Sequence, residues 1–454
     1  MCRSILLGGM LVLSAAFPLA EDWDRFLGPG GSQKSSEVGL VDKIPQTGLP
    51  VLFDREVGTG YSAPSVGRGT LVFFHRRNAE EIVEAIDAVS AAPKWRYAYP
   101  SKYQDPYGYN NGPRCTPLLT SNRVYSFGAE GQLTCLDAST GSLVWQRNTV
   151  TDAESLPEAF FGVGSTPLLE DGKLIVQLGG QPNSGVVAYD PETGKRIWSS
   201  VGETNWQGQP MLGWPGERRV EWRRWDKQAS YSSPVAATVQ GRRVVYCLMR
   251  QGLVALDPRD GQVLFSRWFR ARVEESVNAA NPVVFGDTVL ISSAYYHTGS
   301  VLLRYVPGQP TATEVWAGLG MEAHWSTPVL VDGYLYGFSG RNEPDAHLRC
   351  VDWKSGDVAW DRDEHWEKHS VAQPNVFGRG SFIYADGRLY ALGEGGLLGI
   401  FNPNPTKCEE ISRWQVPSLH FPCWAGPVLS NGRLYLRSED HLVCLDLHKN
   451  SDVK

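Results

Sequence analysis

Apolar residues along this chain gather in short runs separated by turn-forming residues, as in Arg433-Leu434-Tyr435-Leu436 and Arg388-Leu389-Tyr390-Ala391. A helix would need apolar positions recurring every 3.6 residues, so runs of this kind predict β-strands. The turns agree. Asp171-Gly172, Asp332-Gly333, Asp386-Gly387 and Asn431-Gly432 each lie between two apolar stretches. Such pairs take the positive φ angles of a two-residue hairpin, whose twist matches its strands. Each is expected to join the first and second strand of a repeated unit.

The unit can be read directly. An apolar strand, an aspartate, a Thr-Gly turn and an aromatic residue recur. Leu136-Asp137-Ala138-Ser139-Thr140-Gly141 leads to Trp145, and Tyr189-Asp190-Pro191-Glu192-Thr193-Gly194 leads to Trp198. Leu256-Asp257 leads to Phe265 and Val351-Asp352 to Trp360; weaker copies precede Trp95, Trp316 and Trp414. An eighth copy begins at Leu445-Asp446, and the chain ends before its aromatic residue. A proline opens an apolar strand at Pro64, Pro117, Pro167, Pro234, Pro282, Pro328 and Pro427, and Ser381 holds that place in the seventh unit. The gaps are 53, 50, 67, 48, 46, 53 and 46 residues. A strand-rich period near fifty predicts an all-β, single eight-bladed propeller of four-stranded blades. The missing last strand is expected from Val51-Leu52-Phe53-Asp54-Arg55-Glu56-Val57, which would close the eighth blade and protect its edge. The expected organisation is a signal peptide over 1–20, a segment over 21–48 packed on the propeller, the propeller over 49–447 and a tail over 448–454.

Length alone, at 454 residues, would suggest two or three domains; repetition around a ring removes that need. Net charge is −6 and the densest basic cluster, Arg218 to Arg224, is interrupted, so a nucleic-acid partner is not expected. Arg3, the apolar run Ile5 to Leu13 and the small residues before Glu21 read as an export signal, with an uncleaved anchor as the alternative. The run is short for a bilayer span, so no transmembrane segment is expected in the mature chain, and the compartment is periplasmic or extracellular. Seven cysteines remain after residue 20. They read as small buried hydrophobes or, alternatively, as a disulfide framework with Cys408 and Cys423 the first pair to test.

The Asp-x-x-Thr-Gly-x-x-x-Trp repeats resemble those of quinoprotein-type propellers. That resemblance implies that Trp95, Trp145, Trp198, Trp316, Trp360 and Trp414 dock neighbouring blades. Trp23 to Pro29, Asn111 to Pro117, Ala229 to Pro234, Ser276 to Ala280 and Tyr384 to Tyr390 are similar to stretches of pyrroloquinoline-quinone-binding-like propeller proteins. The resemblance implies export and fold but no particular reaction. Quinoprotein dehydrogenases of this type carry an adjacent Cys-Cys pair and a calcium ion held by carboxylates and an asparagine. No Cys-Cys and no acidic calcium loop occurs here. No cofactor is therefore expected, with pyrroloquinoline quinone on Ca²⁺ as the alternative. The propeller subunit of the outer-membrane assembly machinery is another relative, typically a lipoprotein.

Loop lengths are unequal, and connecting loops on a rigid scaffold commonly hold the functional residues. The long connections from each blade's last strand to the next blade's first are expected on one face. They supply Tyr103, Asp105, Tyr107, Asn111 and Arg114, then Trp206 and Trp214 with Tyr231, then His324 and Trp325. Aromatic rings with amides and charges suit a sugar ring, a flat ligand or a protein hot spot; the alternative is a lid packed over the blades. Ser276 and Asn278, with Tyr231, read either as channel-facing polar groups or as caps for backbone at strand starts. His365 and His369 match metal spacing only on a helix, and no metal is expected. Asp105, Glu203, Glu274 and Glu322 are the carboxylates from which a glycosidase pair would be drawn. The leading expectation is a monomeric exported module binding a protein or a carbohydrate; the alternative is an oxidoreductase or sugar-acting enzyme with its site in the channel.

Overall fold

The computed structural model describes residues 21–153, 161–180, 183–201, 230–271, 276–341, 345–366 and 376–449. The signal-peptide reading over 1–20 lies outside them. Eight four-stranded antiparallel sheets follow one another along the chain. Seven are continuous, over 65–100, 118–148, 168–200, 235–268, 283–318, 329–363 and 380–415. The eighth joins Val428–Ser430, Arg433–Arg437 and His441–Asp446 to the N-terminal strand Val51–Glu56. That strand runs antiparallel to His441–Asp446, with Phe53 opposite Cys444. The chain is an eight-bladed β-propeller closed by its own N-terminal strand. Among the described residues no helix is long and apolar enough to cross a membrane.

The repeat motif has a physical reading. Asp137 accepts the backbone N–H groups of Ser139 and Thr140, each at 3.0 Å, and both their hydroxyls. These bonds hold its carboxyl down near a pKa of about 2 and fix the turn. The turn ends on Gly141, at φ +70°, where the Trp95 ring of the preceding blade lies 2.5 Å from where a Cβ would stand. Trp95 also donates its indole N–H to Ala138 O at 2.9 Å. Trp145 repeats this on Gly194 and Pro191 O, Trp198 on Gly261 and Pro258 O, and Trp316 on Gly356 and Trp353 O. Trp360 donates to Asn404 O at 2.7 Å, and Trp414 packs on Gly48. The outer strands of blades 1, 2, 3, 5 and 6 are thus fastened to the next blade's turn.

A second set of contacts runs around the channel. The backbone N–H of Thr116 bonds Thr166 Oγ1, that of Thr166 bonds Ser233 Oγ, that of Ser233 bonds Asn281 Oδ1, and that of Asn281 bonds Thr327 Oγ1, at 2.8–3.1 Å. Each of these residues directly precedes a marker proline. Blades 1, 7 and 8 have Ala63, Gly380 and Gly426 there instead. At the seam between blades 8 and 1, buried Arg437 donates to the carbonyls of Gly58, Ser62 and Phe74 at 2.7–2.9 Å. Burial pulls its pKa down to about 10.

The N-terminal segment crosses the hairpin face of the channel. Trp23 exchanges two backbone bonds with Val66 of blade 1, and Asp24 O accepts from Leu119 of blade 2. Gln33 and Ser35 bond Tyr384 of blade 7, and Gln33 Nε2 donates to Thr327 O of blade 6 at 2.7 Å. The seven cysteines stand as free thiols, six of them buried. Burial pushes the thiols of Cys135, Cys350 and Cys444 up to about 12, so they behave as small hydrophobes between blades.

If ring contact rather than turn conformation makes these glycines necessary, two substitutions should differ. Gly194 and Gly241 both have positive φ, but only Gly194 faces a ring, with nothing within 4 Å of Gly241. Gly241→Ala should cost about 1–2 kcal/mol of backbone strain. Gly194→Ala should cost about 1–3 kcal/mol more through overpacking against Trp145. Urea unfolding of the two variants measures this, and equal losses would remove the docking explanation.

Candidate functional site

A cavity of about 440 Å³ opens at the mouth of the channel opposite the hairpin turns. Its wall is built from one repeated position. The residue three before each marker proline is Tyr61, Arg114, Gly164, Tyr231, Ala279, Trp325 or Trp424, and all seven line the cavity. In blade 7 Arg379 takes part instead, two residues before Ser381. The second-to-third-strand connections of blades 5 and 6 add Tyr295, Tyr296 and Arg341. Phe26, Leu27 and Gln33 of the N-terminal segment form the floor.

Aromatic rings run continuously along one side. Tyr231 meets Phe161 at 5.4 Å, Phe161 meets Tyr109 at 5.9 Å, Tyr109 meets Trp424 at 5.4 Å and Trp424 meets Tyr61 at 4.8 Å between centroids. Tyr107 joins through Phe161 at 5.4 Å. Trp325 Nε1 and Ser381 Oγ, both from lining residues, are buried and have no hydrogen-bond partner among the described residues.

The charges are positioned by buried carboxylates behind the wall. Glu394, fully buried, accepts from Arg379 Nη2 at 2.8 Å, from the Arg379 backbone N–H at 2.8 Å and from Trp424 Nε1 at 2.8 Å. One anion thereby orients two lining side chains. Arg379 also lies over the Trp424 ring, 5.4 Å from its centroid. Arg114 pairs with Asp105 at 2.6 Å and lies 5.5 Å from the ring centres of Tyr61 and Tyr103. Burial, reinforced by the charges of Arg379 and Arg341, holds the His324 imidazole neutral, well below its ordinary pKa. Arg379 Nη1 lies 3.4 Å from His324 Nδ1. A guanidinium only donates, so Nδ1 accepts and the ring proton is assigned to Nε2.

The sequence candidates divide by place. Tyr107, Arg114, Tyr231, His324 and Trp325 line the cavity. Tyr103, Asp105 and Asn111 lie behind it: Asp105 anchors Arg114, Tyr103 O accepts from Arg76, and Asn111 Oδ1 accepts the Asp105 backbone N–H at 2.7 Å. Ser276 and Asn278 are buried; Ser276 Oγ accepts from Arg270, and Asn278 Nδ2 donates to Met249 O and Phe269 O, each at 3.0 Å. Both therefore satisfy internal groups. Trp206, Trp214, Glu203, Glu274 and His369 lie outside the described residues. Glu322 is held by His297 at 3.0 Å in a side depression rather than in the cavity. His365 pairs with Asp363 at 3.2 Å. Among the described residues one group, His420, Asp440 and His441, brings three potential metal-ligating atoms within 4.8 Å of one another. In it both rings and Ser438 Oγ bond the same Asp440 oxygen at 3.0–3.2 Å, which accounts for the cluster without an ion.

Sequence reading missed Tyr61, Tyr295, Tyr296, Arg341, Arg379 and Trp424. The position three before the marker proline would have found Tyr61 and Trp424. The second-to-third-strand turns share the face of the long connections, which would have found Tyr295, Tyr296 and Arg341.

Ring and cavity together define a quinoprotein-type β-propeller with a ligand-sized cup in one mouth of its channel. The chain belongs to the family described as outer membrane protein assembly factor BamB, whose model matches residues 79–362. The structure is similar to BamB of Moraxella catarrhalis, with a TM-score of 0.57 at 14% identity over 88% of this chain and 97% of that one. It is also similar to quinohemoprotein alcohol dehydrogenase of Comamonas testosteroni, with a TM-score of 0.60 at 14% identity over 95% of this chain and 81% of that one. At such identities the likeness is one of fold. A stretch of 135 residues, 28% of this chain, is 30% identical to the dehydrogenase subunit of the quinone alcohol dehydrogenase of Komagataeibacter europaeus. That stretch spans 18% of the dehydrogenase subunit.

The state of His324 has a measurable consequence. A histidine that folding keeps neutral binds fewer protons than it does in the unfolded chain. Its contribution is therefore fully present above the ordinary imidazole value of 6.5 and is lost as pH falls below it. His75, also shifted down, acts in the same sense in any variant that retains it. Between pH 6.5 and 5.5 the His324→Gln protein should lose about 1 kcal/mol less stability than the wild type. Urea unfolding at each pH reads the difference, and identical slopes would mean that folding does not keep His324 neutral.

Proposed function

We propose that the chain is an exported binding module that takes a carbohydrate ring in the cup at the channel mouth. The observation behind this reading is the continuous aromatic wall, set beside the polar side chains of Arg114, His324, Arg341 and Arg379, in a cavity whose volume is ordinary for small-ligand sites. Sugar rings present apolar C–H faces to aromatic side chains and hydroxyls to polar groups, and the cup offers both. Export rests on the signal-like residues 1–20.

The oxidoreductase alternative needs pyrroloquinoline quinone on a calcium ion. Calcium takes six to eight oxygen ligands, carboxylates among them. The described wall holds no Asp, Glu or Asn and includes Arg114, Arg341 and Arg379. These residues do not fit a metal-bound quinone.

Titration of the purified mature protein with a panel of mono- and disaccharides, followed by tryptophan fluorescence, tests the proposal. Saturable one-to-one binding is expected, and Trp424→Ala should weaken it about tenfold, or about 1.4 kcal/mol. A panel in which no sugar saturates the signal would remove the carbohydrate reading. Saturable binding of pyrroloquinoline quinone that requires Ca²⁺ would overturn it in favour of the oxidoreductase.

A further inference from the structure

The cup is chemically two-sided. Aromatic rings from blades 1, 2, 3, 4 and 8 line one side, whereas Arg341, Arg379 and His324 meet on the side formed by blades 5 to 7. Arg379 is neutralised by Glu394 behind it. Arg341 is different. It is half-buried, stacked 4.4 Å from the Tyr295 ring centre and 4.8 Å from that of Tyr296. No carboxylate of the described residues comes within ion-pairing distance of it. Among the described residues the nearby acids are Glu322, already bonded to His297, and Asp345, both in the adjoining depression that Arg341 also lines; Glu343 lies outside the described residues.

Arg341 is also held in place. It follows Gly340, whose φ of +110° and close approach to Asp345 O leave no room for a side chain. Its carbonyl accepts from Arg379 Nη1 at 2.7 Å, tying the two arginines together. His324, whose ring lies 5.2 Å from Tyr295, directs Nδ1 at Arg379 and retains Nε2–H as a donor without a partner among the described residues. The wall therefore presents a stacked guanidinium, with no ion-pair partner among the described residues, beside a neutral N–H donor. A guanidinium fork matches the paired oxygens of an oxyanion, and a partly desolvated site strengthens that pairing.

We propose that the ligand of the cup is an acidic carbohydrate, its carboxylate or sulfate seated against Arg341 with His324 as a second donor while the sugar ring lies on the aromatic wall. This rests on the carbohydrate reading above and adds the charge that the ligand must bear.

Binding of three matched probes tests it: D-glucose, D-glucuronate and glucose 6-sulfate, each titrated by fluorescence at low and at physiological salt. One of the anions should bind at least tenfold more tightly than glucose, with a preference that shrinks as salt rises. The anion that binds more tightly identifies the group as carboxylate or sulfate. In Arg341→Ala the preference should fall towards one, and Arg341→Lys should retain part of it; thermal melts of both variants verify folding. Glucose binding as tightly as both anions would overturn the acidic assignment and leave the carbohydrate reading intact. Binding of none of the three, nor of any sugar in the wider panel, would remove both.

Discussion

The ring depends on an indole lying where a side chain would otherwise be. Four of the repeated turns end in a glycine at positive φ, and the preceding blade's tryptophan occupies the space above it. The aspartate sets the turn, the turn leaves a carbonyl free, and the indole N–H takes that carbonyl. Sequence motif, local conformation and inter-blade packing are therefore one interaction. Its spacing within the repeat is rigid because the aspartate, the glycine and the ring must coincide across two blades. The inner belt of hydroxyl and amide bonds performs the same joining near the axis, where little room exists for large side chains.

Function is written onto this frame by substitution at equivalent positions. The place three before the marker proline points into the channel in every blade where it lines the cavity, yet it holds tyrosine, arginine, glycine, alanine or tryptophan. Symmetry of backbone gives asymmetry of surface. Large residues stand at this place in blades 8, 1, 2, 4 and 6 and small ones in blades 3 and 5, so the cavity is uneven within a symmetric ring. Buried Glu394 sharpens this asymmetry by fixing Arg379 and Trp424 together.

The architecture was legible because it follows from short-range chemistry repeated many times. The Asp-Gly and Asn-Gly hairpins fall between first and second strands, with positive φ at Asp171, Asp332, Asp386 and Asn431. The closing strand was legible from the last unit's missing strand and the run Val51 to Val57, with Phe53 in the place of the repeat's tryptophan. The cup was only partly legible, since its parts come from distant blades. Asp105 looked like a ligand group because a carboxylate among tyrosines usually faces solvent, but Arg114 draws it inward. Ser276 and Asn278 sit at a strand start, where backbone amides and carbonyls compete for polar side chains and win. Arg379 had no local signal, and Arg341 only its place in a second-to-third-strand turn; their roles appear when the Glu394 turn and the Tyr295 turn are brought alongside them.

The segment across the hairpin face has a further consequence for geometry of access. With Phe26, Leu27 and Gln33 as its floor, the channel is a blind well rather than a bore. A polymer cannot thread through it. Whatever enters must leave by the same opening, so on the proposed carbohydrate reading a long glycan would offer only a terminus or a side branch, and the protein would count chain ends instead of chain mass.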